Sequence, residues 1–307
     1  MQRWLDGVPV QLEAESLADV STNVSLPVQW QSQLEIVSKL GEGSFGKVFK
    51  CKVLCESPAN IYVSVKLITK KDPKVRKEIM ILKQMRGASD FCVSAVGSPS
   101  FIDDSAGYWI MFLAVTYWHV LRSAMMPYMN GGELYDLIKQ CHKSDSCMRS
   151  DPQGRKDWSK LNPAYTTPYI LGLFHDIVLG VEALHKHTGM HHIDLKPGNV
   201  MLNCQGKNCF AAVIDLGIAC DPRREGDCGL MGTPLYMPPE VYRQNKEGMR
   251  HPARDVWALG VILYQLMYVR TPPFFRDPRK LIVSYDVDTD PNIPGTKKVD
   301  TLVMQML

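Results

Sequence analysis

The chain lacks the features that mark several large classes of protein. Among its 307 residues there are nine cysteines but no C-x-x-C pair of the kind used by zinc sites and thioredoxin-like proteins. The longest apolar run, 108–121, is shorter than the roughly 20 residues that cross a bilayer, so we expect no transmembrane segment. No apolar core follows the early Arg3, so no secretory signal is indicated. A net charge of +3 does not favour nucleic acid or an anionic membrane as a partner.

Eight of the nine cysteines fall into close pairs, which leaves two interpretations of their redox state. The pairs are Cys51/Cys55, Cys141/Cys147, Cys204/Cys209 and Cys220/Cys228. We expect reduced thiols and a cytoplasmic protein, because disulfides are rare in reducing compartments. The alternative is a secreted or organellar protein in which Cys204 and Cys209 bridge the two arms of a hairpin. Opposed residues of antiparallel strands do come within disulfide range.

The apolar pattern divides the chain into a strand-rich first third and a mostly helical remainder. Residues 1–33 are polar and acidic and predict an N-terminal extension or a loose cap. Alternating segments rich in Val and Ile predict strands at 34–40, 47–55 and 61–68, with further strand-like sequence over 101–129. Periodic apolar residues predict helices at 74–86, 133–140 and 168–187, with an inserted surface loop at 141–165. This order favours an α+β fold with two lobes.

A glycine-rich segment, Leu40-GEGSFGKV, has the G-x-G-x-x-G spacing that lets backbone N–H groups approach phosphate oxygens. Gly41, Gly43 and Gly46 form the pattern, which three fold families share. A Rossmann fingerprint would open a helix, and a P-loop would continue with Gly-Lys-Ser/Thr and a helix. Here strand-like sequence follows Gly46 directly, so the sequence predicts a phosphate-covering hairpin between two strands.

A lysine and a glutamate that follow this segment form a candidate ion pair. Lys66 ends an apolar strand, where an unpaired buried ammonium would be unfavourable. Glu78, in the next predicted helix, is the natural partner, and the paired lysine could hold nucleotide phosphates as a fixed cation. Taken alone, two such residues are more often a solvated strand-end lysine and a surface glutamate, so the motifs further along the chain decide between these interpretations.

Two later motifs supply a candidate catalytic base and candidate metal ligands. Residues 192–199 read HIDLKPGN, and Asp215-Leu216-Gly217 follows 16 residues later. With the glycine-rich segment, GTPLY, PPE and DVWALG, these motifs resemble protein kinases over residues 34–307. The resemblance implies that Asp194 is the base, that Lys196 steadies the γ-phosphate in serine/threonine-directed members, and that Asn199 and Asp215 bind Mg²⁺.

The same resemblance implies an ATP site and a protein substrate with a Ser or Thr hydroxyl. The implied hinge is 126–129, where the Pro127 carbonyl and the Met129 N–H would meet the adenine, and Glu133 would reach the ribose. The implied nucleotide-binding residues are Leu40, Gly41, Glu42, Gly43, Ser44, Phe45, Gly46, Val48, Ser64, Lys66, Met126, Met129, Glu133 and Met201. The sequence gives no indication of the oligomeric state.

The chain departs from the family pattern in the features that accept activating phosphorylation. Ile193 stands where many kinases have the arginine that pairs with a phosphorylated activation segment. Between Asp215 and Glu240 the only hydroxyl residues are Thr233 and Tyr236, both at positions that the family uses structurally. We therefore expect an enzyme that is not switched on by phosphorylation of this segment. Asp221, Glu225 and Asp227 add fixed negative charge there, although a solvated loop is the simpler interpretation.

Two further departures leave alternatives open. Fourteen additional residues, 112–125, separate the last predicted strand from the hinge, and 299–307 resembles a late helix after which the family has further helices. We expect an active kinase whose second lobe lacks the last helices of the family. The alternatives are a kinase fold used as a binding module, or a shortened or mis-spliced chain. A looser similarity, in the non-Arg catalytic loop and paired cysteines, is to the secreted rhoptry kinases of apicomplexan parasites.

Overall fold

The computed structural model describes most of the predicted elements. The described residues are 24–43, 46–54, 62–68, 73–95, 101–103, 108–113, 129, 131–143, 167–205, 208–268, 301–302 and 305–306. The architecture is α+β, with a β-sheet formed by the first third of the chain and helices in the remainder. The fold class expected from the sequence is therefore confirmed.

An antiparallel sheet of six strands forms the first part of the fold. Its strands are β1 (Leu34–Gly43), β2 (Gly46–Val53), β3 (Tyr62–Ile68), β4 (Ser94–Ala95), β5 (Phe101–Asp103) and β6 (Tyr108–Leu113). The order is β1-β2-β3-β6-β4, and β5 also pairs with β6. The side chains of β3 alternate, because Val63, Val65 and Leu67 are buried in one cluster while Ser64 and Lys66 point to the opposite face.

One face of this sheet is covered by residues that the sequence assigns to an extension or a loose cap. Helix α1 (Val28–Gln31) places Trp30 in a buried cluster with Leu26, Leu34 and Phe49. Trp30 is fully buried. Leu26 and Trp30 therefore pack on the sheet, because burial of one large aromatic side chain outweighs the polar composition around it.

The helical part is built around two long buried helices. Its main helices are α2 (Pro73–Gln84), α3 (Leu134–Lys143), α4 (Thr167–Thr188) and α7 (Ala253–Tyr268). Two short helices, α5 (Pro239–Tyr242) and α6 (Lys246–Arg250), precede α7, and strands β7 (Val200–Gln205) and β8 (Asn208–Val213) form a separate hairpin. Fourteen of the sixteen residues of α7 are buried, so α7 is the central helix of the core. None of the helices that the structure describes is long and apolar enough to span a membrane.

Two predicted boundaries need correction. Phe112 and Leu113, assigned from the sequence to a 14-residue insertion, continue β6, where Phe112 pairs with Ser64 and Leu113 pairs with Ser94. Helix α3 extends through 141–143, which the sequence places in the inserted loop. Both segments continue the periodicity of the element before them, so composition alone placed the ends too early. The rest of both predicted insertions, 114–125 and 144–165, lies outside the described residues.

Two disulfides replace the reduced thiols that the sequence favours. Cys204 and Cys209 are opposite each other in the β7–β8 hairpin and are bonded, as in the alternative interpretation. Cys220 and Cys228 form a second disulfide with a Cα–Cα distance of 5.1 Å. Cys51 and Cys92 are buried free thiols, and burial raises the pKa of each to about 12, which keeps them protonated.

Candidate active site

The glycine-rich segment forms the predicted hairpin between two strands. Gly43 pairs with Gly46 across the turn, and Gly41 pairs with Val48. Gly46 has a φ of +132°, and a Cβ atom there would lie 2.1 Å from the carbonyl oxygen of Leu67. Glycine is therefore required at this position both for the backbone conformation and for close contact with β3. Ser44 and Phe45, at the tip of the turn, lie outside the described residues.

The expected ion pair joins the sheet to helix α2. Lys66 Nζ lies 2.7 Å from Glu78 Oε1, and the two side chains are only 12% and 6% exposed. Lys66 is opposite Val48 of the glycine hairpin in the β2–β3 register. The ammonium group is therefore held beneath the hairpin by a partner from a different element. The ion pair therefore fixes a positive charge opposite Val48, where it could contact a phosphate bound beneath the hairpin.

A second cluster of polar groups surrounds Asp194. Lys196 Nζ donates to Asp194 Oδ2 at 2.7 Å, and Thr233 Oγ1 donates to Asp194 Oδ1 at 2.6 Å. Asn199 Nδ2 donates to the Asp194 carbonyl oxygen at 2.8 Å and to Oδ2 at 3.2 Å. Burial alone would raise the pKa of Asp194, but the hydrogen bonds from Lys196 and Thr233 bring it below its ordinary value. Asp194 is therefore a carboxylate at neutral pH, as a proton acceptor must be.

The loop that carries Asp194 is fixed by the buried carboxylate of Asp255, at the start of α7. Asp255 accepts hydrogen bonds from the N–H of His192 at 2.8 Å, from the N–H of Ile193 at 2.9 Å and from His185 Nε2 at 2.7 Å. Ile193 has a φ of 58°, which is unusual for a β-branched residue. The hydrogen bond to Asp255 holds this conformation, and Asp194 follows directly in the chain. The position of the Asp194 carboxylate therefore depends on Asp255.

Asn199 and Asp215 present oxygen atoms on neighbouring segments. The Nδ2 group of Asn199 donates to Asp194, so the amide oxygen of Asn199 points away from that carboxylate. The N–H of Ile214, next to Asp215, donates to the Asn199 carbonyl oxygen at 2.9 Å. A Cβ atom on Gly217 would lie 3.1 Å from Asp215 Oδ1 and 3.7 Å from Glu78 Oε2, so both carboxylates approach this glycine. The donor set of one amide and one carboxylate oxygen suits a hard divalent cation.

Three of the residues expected beside adenine and ribose, Met129, Glu133 and Met201, lie on the hairpin β7–β8 and on the segment before α3. Glu133 is bridged to Met201 of β7, and the N–H of Gly131 donates to the Leu202 carbonyl oxygen at 2.9 Å. Met129 is buried next to this segment. Burial raises the pKa of Glu133, with a smaller contribution from the charge of Asp136. Met126, the other predicted hinge residue, lies outside the described residues.

A comparison with known protein families agrees with this geometry. A family model described as "Protein kinase domain" matches residues 34–305. The chain belongs to the protein kinase family. Among curated kinases it is similar to the serine/threonine-protein kinase RUNKEL of Arabidopsis thaliana, with 36% identity over 130 residues, which are 41% of this chain and 9% of the relative.

Two other curated kinases align with most of the chain. CBL-interacting protein kinase 1 of Oryza sativa subsp. japonica is 29% identical over 262 residues, which are 82% of this chain and 46% of the relative. The cAMP-dependent protein kinase catalytic subunit of Schizosaccharomyces pombe is 27% identical over 250 residues, which are 79% of this chain and 39% of the relative. The chain therefore matches less than half the length of each of these three kinases.

The kinase site contains contacts that the sequence did not reveal. Thr233 was matched to a family motif, but its contact with the Asp194 carboxylate was not expected. Arg254, which is buried, donates to the carbonyl oxygen of Gly229 at 3.0 Å and also to that of Met231. The sequence signal that could have indicated these contacts is Arg254 directly before Asp255 of the DVWALG motif, because a buried arginine needs hydrogen-bond partners.

The histidines before Asp194 have structural contacts. His185 binds Asp255, and His192 Nε2 lies 3.0 Å from the Ile214 carbonyl oxygen. His191 lies near the disulfide, with its ligand atom and the two sulfur atoms of Cys220 and Cys228 within 4.8 Å of one another. Because the two sulfurs are bonded to each other, they are not free thiolates in this structure.

Proposed function

We propose that the chain is an ATP-dependent protein kinase that phosphorylates serine or threonine. The observation that carries the proposal is the contact between Thr233, Lys196 and Asp194, which places a cation and an orienting hydroxyl on the base. The similarity to RUNKEL, a serine/threonine-protein kinase by name, supports the same acceptor class. In this proposal the kinase domain covers residues 34–307, with 1–33 as an extension whose residues Leu26 and Trp30 pack on the sheet.

Each residue of the site has a proposed role in in-line phosphoryl transfer. The backbone of the hairpin at 41–48 and the Lys66 ammonium bind the phosphates, and Glu78 keeps that ammonium in place. Asp194 accepts the proton of the substrate hydroxyl, while Lys196 stabilises charge on the transferred phosphoryl group. Positioning and charge stabilisation account for most of the rate enhancement.

The nucleotide base and the metal are assigned to the remaining predicted residues. Leu40, Val48, Ser64, Met129 and Met201 would enclose the adenine, and Glu133 would bind the ribose. Asn199 and Asp215 would hold Mg²⁺, because their oxygens form a hard donor set beside the base. When bound, the cation neutralises charge on the phosphates.

The proposal is tested by Mg-ATP-dependent phosphate transfer to casein and to a basic protein such as myelin basic protein, beside an Asp194→Asn control. We expect phosphoserine or phosphothreonine in the product and a loss of about 10²–10⁴-fold in the variant. Transfer that is equal in both proteins would refute the assignment of Asp194. Stabilisation against heat by Mg-ATP without any transfer would favour a kinase fold that only binds nucleotide.

The disulfides favour the proposal that the chain works in an oxidising compartment. Cys204–Cys209 and Cys220–Cys228 are both formed in the structure, and such bonds persist outside reducing compartments. Intact mass of the protein purified from its native source, with thiols alkylated before and after reduction, would test this. At least four additional alkyl groups after reduction are expected, two for each of these disulfides, and none would contradict the assignment.

A further inference from the structure

An ion pair connects helix α2 to the segment that follows Asp215. Lys77 Nζ lies 2.8 Å from Asp227 Oδ1 and 2.9 Å from Oδ2, although 150 residues separate them in sequence. The side chains are 17% and 27% exposed, so water screens the pair only in part. Lys77 precedes Glu78, and consecutive helical residues point about 100° apart. One turn of α2 therefore carries both Glu78, which pairs with Lys66, and Lys77, which pairs with Asp227 of the 220–228 loop.

Asp227 is held in place from within its own loop. The N–H of Asp221 donates to Asp227 Oδ2 at 2.6 Å. The neighbouring residue, Cys228, is buried and bonded to Cys220, so the loop is closed covalently directly beside the carboxylate. Burial alone would raise the pKa of Asp227, but the Asp221 N–H and the Lys77 ammonium bring it below its ordinary value. Asp227 therefore carries a negative charge at neutral pH.

The residues that follow this loop, 229–233, connect it to Asp194. Arg254 binds the carbonyl oxygens of Gly229 and Met231, which follow Cys228. Gly232 comes next, and a Cβ atom there would lie 2.4 Å from the Ile193 carbonyl oxygen, so the loop contacts the catalytic loop. Thr233 then donates to Asp194. A continuous series of contacts thus runs from Lys77 through Asp227 to the base.

We propose that Lys77 and Asp227, supported by the Cys220–Cys228 disulfide, are a positioning pair that does the work of a phosphorylated activation segment. The pair supplies a fixed carboxylate and a fixed cation in a chain that has Ile193 where a phosphate-binding arginine is common. It would keep α2, and with it Glu78 and Lys66, in the catalytic arrangement without a modifying kinase. The inference rests on the proposed kinase function.

The experiment is a double-mutant cycle with Lys77→Met and Asp227→Asn. Methionine keeps the aliphatic stem, and asparagine keeps an oxygen that can accept from the Asp221 N–H, so each change removes mainly the ion pair. Arg76→Met and Glu225→Gln are matched controls, because both side chains are exposed and lie on the same helix and loop. The readouts are kcat, KM for ATP and hydrogen exchange of 221–231.

If the pair positions the site, each single variant should lower kcat by about 3- to 30-fold, and the double variant should be no worse than either single. Exchange of 221–231 should increase in the same variants, while the controls should match wild type. Additive losses, or single variants equal to the controls, would overturn the pairing. Wild-type protein that transfers no phosphate would refute the proposed function instead. The pairing of Lys77 with Asp227 would then be judged from hydrogen exchange of 221–231 alone, by the same comparison of single and double variants.

The support from the disulfide is tested separately with a dithiol reductant. Of the disulfides within the described residues, the Cys204→Ser/Cys209→Ser variant keeps only Cys220–Cys228, so its response to reduction reports on that bond. Two electrons and two protons from the dithiol would convert the bond to two thiols. We expect kcat to fall and exchange of 221–231 to rise on reduction. Unchanged values after complete reduction, verified by mass, would overturn the role of the disulfide.

Discussion

Replacement of Asp255 by asparagine should disturb the loop that carries Asp194. The Asp255 carboxylate is almost fully buried and accepts hydrogen bonds from two consecutive backbone N–H groups and from His185. Burial alone would raise its pKa, but the hydrogen bond and charge of His185, together with the other contacts, hold that pKa below its ordinary value. The group is therefore ionised at neutral pH.

The size of the effect follows from these contacts. Asparagine offers one acceptor oxygen, so at least one buried donor would face an NH₂ group, which costs about 1–3 kcal/mol. The loss of a hydrogen bond to a charged acceptor removes about 1.5–3 kcal/mol more. Ile193, at a φ of 58°, would also lose the contact that holds its conformation. We expect the free energy of unfolding to fall by about 3–5 kcal/mol and kcat to fall by about tenfold or more.

Urea unfolding and steady-state kinetics of Asp255→Asn would measure both effects. Glu247→Gln is the control, because Glu247 is exposed at the start of α6 and should change stability by less than about 0.5 kcal/mol. A loss below about 1 kcal/mol for Asp255→Asn, with kcat equal to that of the control, would refute the account of how the loop is held.

Three other changes test separate parts of the structure. Gly46→Ala should lower stability by about 1–3 kcal/mol in calorimetry, since its Cβ would collide with the Leu67 carbonyl; an unchanged melting temperature would contradict the hairpin geometry. Glu78→Gln should lower kcat/KM by about 10–100-fold and should also lower stability, because it leaves the buried Lys66 ammonium without its charged partner; normal kinetics would show that Lys66 needs no such partner. Burial lowers the pKa of His191, so the ring stays neutral when folded while the unfolded chain gains a proton near pH 6.5. Stability should therefore fall below that pH by up to about 1.4 kcal/mol per unit, and His191→Gln should reduce this slope in urea titrations; an equal slope would contradict the assignment.

The sequence predicted those parts of the site that depend on local periodicity. Strand alternation places Lys66 on the face opposite Val65 and Leu67, and the apolar face of α2 fixes where Glu78 can point. The glycine hairpin was predictable for the same reason, because strand pattern continues on both sides of it. The sequence thus predicted both the Lys66–Glu78 pair and the pairing of the two strands on either side of the glycine turn.

The sequence could not predict contacts between distant segments. Lys77 and Asp227 are separated by 150 residues, and neither lies in a motif that would connect them. The Cys220–Cys228 bond could be predicted only from the path of the loop, whereas the Cys204–Cys209 bond could be predicted from the register of a hairpin. Trp30 was assigned to an extension or a loose cap because its neighbours are polar, and only the three-dimensional packing shows what it covers.

We expect the chain to transfer phosphate without prior phosphorylation of residues 216–240. The most direct test is phosphate transfer by protein that mass spectrometry shows to be unphosphorylated between 216 and 240, beside Asp194→Asn. The account predicts transfer by this protein at the first turnover, with loss in the variant. Transfer that begins only after Thr233 or Tyr236 has been phosphorylated would contradict it.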